Sequence, residues 1–189
     1  MSHIVFFLEE PSAEAMLEVF LPKVLPEGLL YRCIVFEGKH DLEKQLVRRM
    51  RGYRVPGARF VVLCDQDAAE CKVIKKAIAK KCIEANRPGA LIRIACHELE
   101  SWYLADLSAV ERGLGLSGLV RYQNERQFSS PDHHPSPAQT LKSIAPSYQK
   151  VGGSRSIGPY LDPGNTRSRS FAVFVAGLRR LCTFSSPQR

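Results

Sequence analysis

The stretch RFVVLCDQD, residues 59–67, decides the fold because an apolar run passes directly into two aspartates. Residues 60–64 are apolar and show no alternation with polar residues. A short run of this kind predicts a strand buried on both faces, as in a parallel sheet covered by helices. Three other runs have the same character, and we predict strands there as well: residues 3–8, 29–36 and 91–96.

Amphipathic patterns separate these runs. Ser12 is suited to cap a first helix, Asp41 begins a second, and a third covers residues 68–84. Alternation of strands and helices is typical of an α/β fold with right-handed crossovers. We therefore predict a Rossmann-like, doubly wound, four-stranded parallel sheet.

The pattern weakens after Asp106. Residues 113–118 and 129–137 are rich in glycine, serine and proline and predict loops, whereas residues 169–182 predict a final helix. The sequence thus divides into an α/β domain at residues 1–106 and a loop-rich, helical C-terminal extension at residues 107–189 that packs on it.

Composition narrows the classes of function. The net charge of +8, from 27 basic and 19 acidic side chains, favours a polyanionic partner such as nucleic acid. The early apolar run ending at Leu8 is too short for a membrane span and lacks the basic flank of a signal peptide, so we expect a cytoplasmic protein. Six cysteines without a Cys-x-x-Cys pair argue against structural zinc and a disulfide framework.

Acidic residues follow every predicted strand. Ligands of open α/β sheets bind beyond the carboxyl ends of the strands, so these acids are expected to share one edge. Clustered carboxylates repel one another, and a divalent cation removes that cost. Oxygen donors suit Mg²⁺ or Mn²⁺ rather than zinc. The candidates are Glu9, Glu10, Glu14, Glu37, Asp65, Asp67, Glu98 and Glu100.

The Asp-x-Asp spacing has its own logic. Residues i and i+2 of an extended backbone point the same way, so Asp65 and Asp67 would bind one ion together, and Glu98 and Glu100 share that spacing. The alternatives are a turn or helix cap for the aspartates, a favourable helix start for Glu9, and surface positions for the later pair. The coincidence at all four strand ends favours a metal site.

Basic residues offer phosphate contacts. Lys39 follows a Glu-Gly turn and is suited to neutralise a phosphoryl oxygen, or else simply begins a helix. Arg155, Arg167 and Arg169 lie in a region rich in glycine and serine, which fits either a nucleic-acid contact or a partner interface.

Two segments resemble motifs of the TOPRIM nuclease and topoisomerase fold. Residues 8–14 resemble its strand ending in a catalytic glutamate, and residues 63–67 resemble its Asp-x-Asp motif. Nearly the whole chain is similar to small bacterial TOPRIM-like proteins of unassigned function, through residues 37–42, 98–106 and 165–171. Members of that family often lie beside ATPase genes, in a pattern similar to the overcoming-lysogenization-defect (OLD) nucleases and other phage-defence systems. The resemblance implies a metal-dependent nuclease that works with an ATPase partner.

The resemblance implies roles for the acids. Glu9 would be the general acid/base, Asp65 and Asp67 would be metal ligands, and Glu14, Glu98 or Glu100 would serve a second metal. Glu10 stands where relatives often have a small residue, which leaves Glu9 and Glu10 as alternative catalytic residues; Glu9 is preferred because it directly follows the strand.

Three hypotheses follow. The first is a Mg²⁺-dependent nuclease cleaving DNA or RNA, working in anti-phage defence with an ATPase partner. The second is a non-catalytic module that binds nucleic acid or an ATPase and has a regulatory metal site. The third, a phosphatase or nucleotidyl-transfer enzyme, lacks a Gly-rich nucleotide loop. Homo-oligomer formation is left open.

Overall fold

The central sheet has four parallel strands in the order β2-β1-β3-β4. A computed structural model describes residues 3–183, and all statements on structure concern these residues. The predicted fold class, a parallel α/β sheet with helices and a helical C-terminal region, is confirmed. The strands are β1 (His3–Leu8), β2 (Leu30–Val35), β3 (Ala58–Asp65) and β4 (Leu91–Ala95).

Helices cover both faces of the sheet. Two of them, α2 and α3, pack on one face, and the others pack on the opposite face. The helices are α1 (Pro11–Phe20), α2 (Lys39–Gly52), α3 (Cys71–Glu84), α4 (Glu100–Leu104), α5 (Leu107–Leu114), α6 (Pro137–Ile144), α7 (Lys150–Ile157) and α8 (Arg169–Thr183).

Strand β1 explains why the apolar runs lack alternation. It lies between β2 and β3, and its residues 4–8 are completely buried. Val5 and Phe7 face the core under α2 and α3, whereas Phe6 and Leu8 face the larger core under the other helices. Both faces of the strand are shielded from water over residues 4–8, and these residues are all apolar.

Three predicted helix starts differ from the structure. The second helix begins at Lys39, with Gly38 at the cap position, rather than at Asp41. The first helix begins at Pro11 with Glu10 at the cap position, and Ser12 is buried inside the first turn, where its hydroxyl donates to Glu10 at 3.2 Å. The third helix begins at Cys71 rather than at residue 68, because the chain first makes a turn in which Asp67 has φ 53°.

The segment after Asp106 contains more helix than its sequence predicts. Helices α5, α6 and α7 are short, and α7 packs against α1 of the sheet region. One apolar core includes residues from both segments, such as Met16 and Ile157. The division at residue 106 stays a prediction. Among residues 3–183, no helix is both long and apolar enough to cross a membrane.

Candidate active site

Glu9 lies at the sheet edge predicted to hold the site. Strands β1 and β3 pair in parallel with Leu8 opposite Leu63, so the residue after β1 lies beside the end of β3. The Glu9 carboxylate accepts a hydrogen bond from the backbone N–H of Asp65 at 3.1 Å, and only 6% of the residue is exposed. Burial raises the pKa of Glu9 from 4.5 to about 7, while the Asp65 N–H opposes the rise and the carboxylate of Asp67 adds to it.

Asp65, the last residue of β3, is the most perturbed carboxylate of this edge. Burial raises its pKa well above the ordinary value. The charges of Glu100, Glu9 and Glu10 raise it further, and the ammonium group of Lys150 opposes them. Asp65 therefore stands at the centre of a group of carboxylates with too little positive charge around it.

Glu100, the first residue of α4, is 1% exposed and has one unsatisfied oxygen. Its Oε1 atom accepts a hydrogen bond from the Tyr148 hydroxyl at 2.9 Å. Its Oε2 atom is buried and has no hydrogen-bond partner. Burial raises the pKa of Glu100, opposed by the residue's own N–H, by Lys150 and by Tyr148. A buried carboxylate oxygen without a donor is free to bind a cation or a proton.

Lys150 and Tyr148 complete this group, which we call the inner cluster: Glu9, Asp65, Glu100, Tyr148 and Lys150. Lys150 is the first residue of α7, and its ammonium group lies 2.5 Å from a carboxylate oxygen of Glu10. Burial lowers the pKa of Lys150, but the hydrogen bond to Glu10 and the charges of Glu100 and Asp65 outweigh this and raise it. Sequence reasoning missed both Lys150 and Tyr148.

One sequence signal points to Lys150. The N-terminus of a helix carries partial positive charge, so a lysine in its first position is unfavourable unless an acid stands nearby. Lys39 occupies the same position in α2 and also pairs with a carboxylate, that of Asp67, at 2.9 Å. A lysine at a helix start therefore marks an acidic neighbour at both places.

Asp67 does not continue the extended backbone of β3. The strand ends at Asp65, and Asp67 has a left-handed φ of 53°. The expectation that an extended chain aligns the two side chains is wrong, because the backbone turns between them. The Asp67 side chain is half exposed and its partner is Lys39, although its charge still reaches Glu9.

Glu98 and Glu100 likewise diverge, because a helical turn begins between them. The Glu98 carboxylate accepts a hydrogen bond from the backbone N–H of Ala138 at 2.9 Å, in the first turn of α6. The backbone between Glu98 and Glu100 is therefore not extended, so their spacing does not point the two side chains the same way. Glu98 acts as a cap for α6, while Glu100 faces Tyr148.

Glu14 lies on α1 in the company of Glu18 and Arg155. Burial raises its pKa, the charge of Glu18 adds to the rise, and Arg155 opposes it. Arg155 itself forms an ion pair with Glu18 at 2.9 Å. The structure thus places Glu14 and Arg155 together on the α1–α7 side and away from the inner cluster's charges.

Arg167 and Arg169 belong neither to the inner cluster nor to the group around Glu14. Arg167 donates to the side-chain oxygen of Asn124 at 2.9 Å. Arg169, the first residue of α8, lines a separate cavity beside β4. The three arginines predicted to contact nucleic acid therefore do not form one patch with the acids.

The inner cluster supplies the oxygen donors that Mg²⁺ and Mn²⁺ prefer. Within residues 3–183, no three histidine, cysteine, aspartate or glutamate side chains stand close enough to hold an ion as they are arranged. Three observations nevertheless fit a cation: the donors are all oxygens, the carboxylates have raised pKa values, and Glu100 Oε2 has no partner. Side-chain rotation of Asp65 and Glu100 towards one another would be needed.

Two cavities adjoin Glu100, Asp67 and Glu98, whereas Glu9 and Asp65 line a narrow crevice of about 10 Å³. One cavity, of about 580 Å³, is lined by Glu100, Tyr148, Lys150 and the exposed side of α6. The other, of about 450 Å³, is lined by Asp67, Glu98 and residues near the start of α6. Both cavities are lined by Gln139 of α6.

Comparison with known proteins places the chain in a family. The model described as "Domain of unknown function (DUF4276)" matches residues 8–179, so the chain belongs to the DUF4276 family. No curated protein matches it.

A solved structure shares the architecture. It is the C-terminal region of the Burkholderia pseudomallei OLD protein, with 12% sequence identity and a TM-score of 0.57, and the match covers 95% of this chain and 98% of that chain. At this identity the likeness concerns the fold. The relation to OLD-type proteins and the narrower TOPRIM assignment, both expected from the sequence, stay predictions.

Proposed function

We propose that this protein is a Mg²⁺-dependent nuclease that hydrolyses phosphodiester bonds in DNA or RNA. The observation that carries the proposal is the Oε2 atom of the buried Glu100, which has no hydrogen-bond partner. The charges of Glu100 and Glu9 both act on Asp65 and raise its pKa. Buried acids with raised pKa values in an accessible cleft are typical of catalytic sites.

Asp65 and Glu100 would hold the ion, with Glu9 beside them and Asp67 and Glu98 within the same edge of the sheet. A bound Mg²⁺ supplies Lewis-acid polarisation of a phosphoryl oxygen and lowers the pKa of bound water. Glu14 is the weakest of the proposed ligands, because it faces Arg155 on α1.

Glu9 is suited to proton transfer. Its pKa of about 7 allows the carboxylate to accept a proton from an attacking water or to donate one to a leaving oxygen near neutral pH. Its position is fixed by the Asp65 N–H at 3.1 Å. In the proposed mechanism Lys39 stabilises negative charge on the phosphoryl group, and Lys150 has the same ability on the other side of the site.

The charge of the chain supports a polyanionic substrate. Its net charge is +8 although the acids gather at one edge of the sheet, which leaves the remaining surface strongly basic. A role in anti-phage defence together with an ATPase partner is proposed from the resemblance of the sequence motifs, and the fold shared with the OLD C-terminal region is compatible with it.

The test compares a central acid with a peripheral one. Asp65→Asn should reduce Mg²⁺- or Mn²⁺-dependent cleavage of labelled DNA and RNA by roughly 10²–10⁴-fold, the range for groups that act in the transition state. Glu14→Gln, on α1, should retain activity. Equal activity of Asp65→Asn and wild type, with and without the ATPase, would contradict the proposal.

A second function is favoured by one observation. The Lys150 ammonium group already lies against Glu10 and within reach of Asp65 and Glu100, as a built-in cation would. A non-catalytic module that binds nucleic acid or an ATPase needs no positive charge beside these acids beyond that of Lys150. Cleavage assays decide between the two, because the regulatory site of the second function also binds an ion: absence of activity with Mg²⁺ or Mn²⁺, with and without the ATPase, would favour the non-catalytic module.

A further inference from the structure

A cavity of about 230 Å³ lies on the other side of the sheet edge from the inner cluster, beside the edge strand β4. It is bounded by the start of α3, by β4 and by the start of α8. Two cysteines line it: Cys71 is the first residue of α3, and Cys96 directly follows β4. Both are partly exposed.

The two thiols are held close together. Their Sγ atoms are 3.9 Å apart, so a bond requires them to approach by roughly 2 Å, which side-chain rotation with a small backbone shift supplies. Backbone hydrogen bonds join the two loops next to the cysteines: Gln66 N–H donates to the Ala95 carbonyl at 2.9 Å, and Asp67 N–H donates to the His97 carbonyl at 2.8 Å. The loops therefore keep the thiols within reach of each other.

The same cavity is basic. Lys72, Lys75 and Arg169 line it. Its acidic lining residue, Asp132, is already engaged, accepting hydrogen bonds from the Ser168 hydroxyl at 2.6 Å and from the Ser170 N–H at 2.7 Å. Asp132 keeps its negative charge, but Arg93 also lines the cavity, so basic side chains outnumber the acid and a small anionic molecule meets net positive charge beside two thiols.

We propose that Cys71 and Cys96 form a reversible disulfide by exchange with an anionic low-molecular-weight disulfide that enters this cavity. The Cys71 thiol loses its proton to solvent, attacks one sulfur of the small disulfide and releases one thiolate. Cys96, deprotonated in turn, attacks the Cys71 sulfur and releases the second thiolate. The two cysteines lose two electrons and two protons, and the small disulfide becomes two thiols.

The bond would tie together two loops of the functional edge. Cys71 ends the β3–α3 loop that carries Asp67, and Cys96 begins the β4–α4 loop that carries Glu98. The inference does not rest on nuclease activity, since it concerns sulfur chemistry outside the inner cluster.

Peptide mapping tests the linkage. The reduced full chain is incubated with oxidised glutathione, alkylated, and digested after lysine and glutamate, so that Glu70 separates Cys64 from Cys71. Mass spectrometry should find a Cys71–Cys96 linked peptide and no glutathione adduct on either residue. Free thiols at both positions, separate adducts on each, or pairing of Cys71 with Cys64 would overturn the proposal.

Single variants resolve the order of the steps. Cys96→Ser should trap glutathione on Cys71, because the second attack is lost, whereas Cys82→Ser, a buried position of α3, should leave the linkage intact. A Cys96→Ser protein that gains no adduct on Cys71 would contradict the assigned first step.

A charge-reversed reagent tests the docking site. Cystamine is a cationic disulfide with the same exchange chemistry, and it should link the cysteines several-fold more slowly than glutathione at low salt, roughly in proportion to the local potential. The double variant Lys72→Gln/Lys75→Gln should remove the difference. Equal rates for both reagents in the wild type would overturn the anionic docking step.

Discussion

The inner carboxylates and the outer carboxylates of this edge differ in what balances their charge. Asp67 has Lys39, and Glu98 has the N–H of Ala138. Glu9 and Glu100 are buried and Asp65 is partly buried. The pKa values of all three are raised. Position after a strand is common to both groups, so position alone does not identify a cation site. The unbalanced charge distinguishes the two groups, because the inner group gains more from binding a proton or a metal than the outer group does.

The largest expected effect on stability is the pH dependence that Glu9 contributes. It tests whether the charge of the inner group is unbalanced. Its pKa is about 7 in the folded protein against 4.5 for the free side chain, so the folded state binds more protons between these values. The stabilisation from its protonated form is present below about pH 4.5 and is lost as the pH rises to about 7, in total about 3 kcal/mol.

Glu9→Gln should flatten that part of the pH dependence. Urea unfolding of metal-free protein near pH 5 and near pH 8 measures it, with Glu14→Gln on α1 as the control. Mn²⁺ should restore stability to the wild type at the higher pH because it replaces the missing positive charge. An identical pH slope in wild type and Glu9→Gln would show that Glu9 is not the unbalanced group.

The sequence predicts the strands well for a physical reason. A strand buried on both faces must be apolar at every position, so residues 3–8 read as a continuous run and form β1 (His3–Leu8). The same runs place Glu9, Asp65 and Glu100 near one edge, because parallel strands end together. Helices α5 to α7 have no such signature, since they are short and bury only one side.

The details of the site depend on contacts that local sequence patterns do not contain. Tyr148 and Lys150 reach Glu100 from a segment almost fifty residues further along the chain. Asp67 departs from the strand because aspartate tolerates a left-handed backbone more readily than most residues, which spacing rules do not reveal. Strand ends were therefore predictable, and side-chain directions were not.

The substitution Tyr148→Phe should have an effect of intermediate size. It tests whether the Tyr148 hydroxyl supports Glu100 in the inner group. Loss of the hydroxyl removes the donor to Glu100 Oε1 and leaves both oxygens of a buried carboxylate without that support. We expect a loss of about 1–2 kcal/mol of stability and, through misplacement of Glu100, a fall in metal-dependent cleavage of roughly 10–100-fold. Denaturation and cleavage rates measure the two effects.

Tyr160→Phe is the matched control for that variant. Tyr160 is 37% exposed and stacks with Arg112, so loss of its hydroxyl should change neither stability nor cleavage. If Tyr148→Phe behaves like Tyr160→Phe, the hydroxyl does not position Glu100 for activity.

The smallest expected effect concerns Glu98, where the two groups of carboxylates can be told apart by a pair of substitutions. As a cap of α6, Glu98 needs only an oxygen acceptor for the Ala138 N–H. Glu98→Ala should then cost about 1 kcal/mol, whereas Glu98→Gln, which keeps an acceptor, should cost less. Both should retain metal-dependent cleavage. If Glu98→Gln keeps its stability but loses cleavage and Mn²⁺ binding together, the negative charge is needed for the ion, and Glu98 joins Asp65 among the ligands despite its bond to α6.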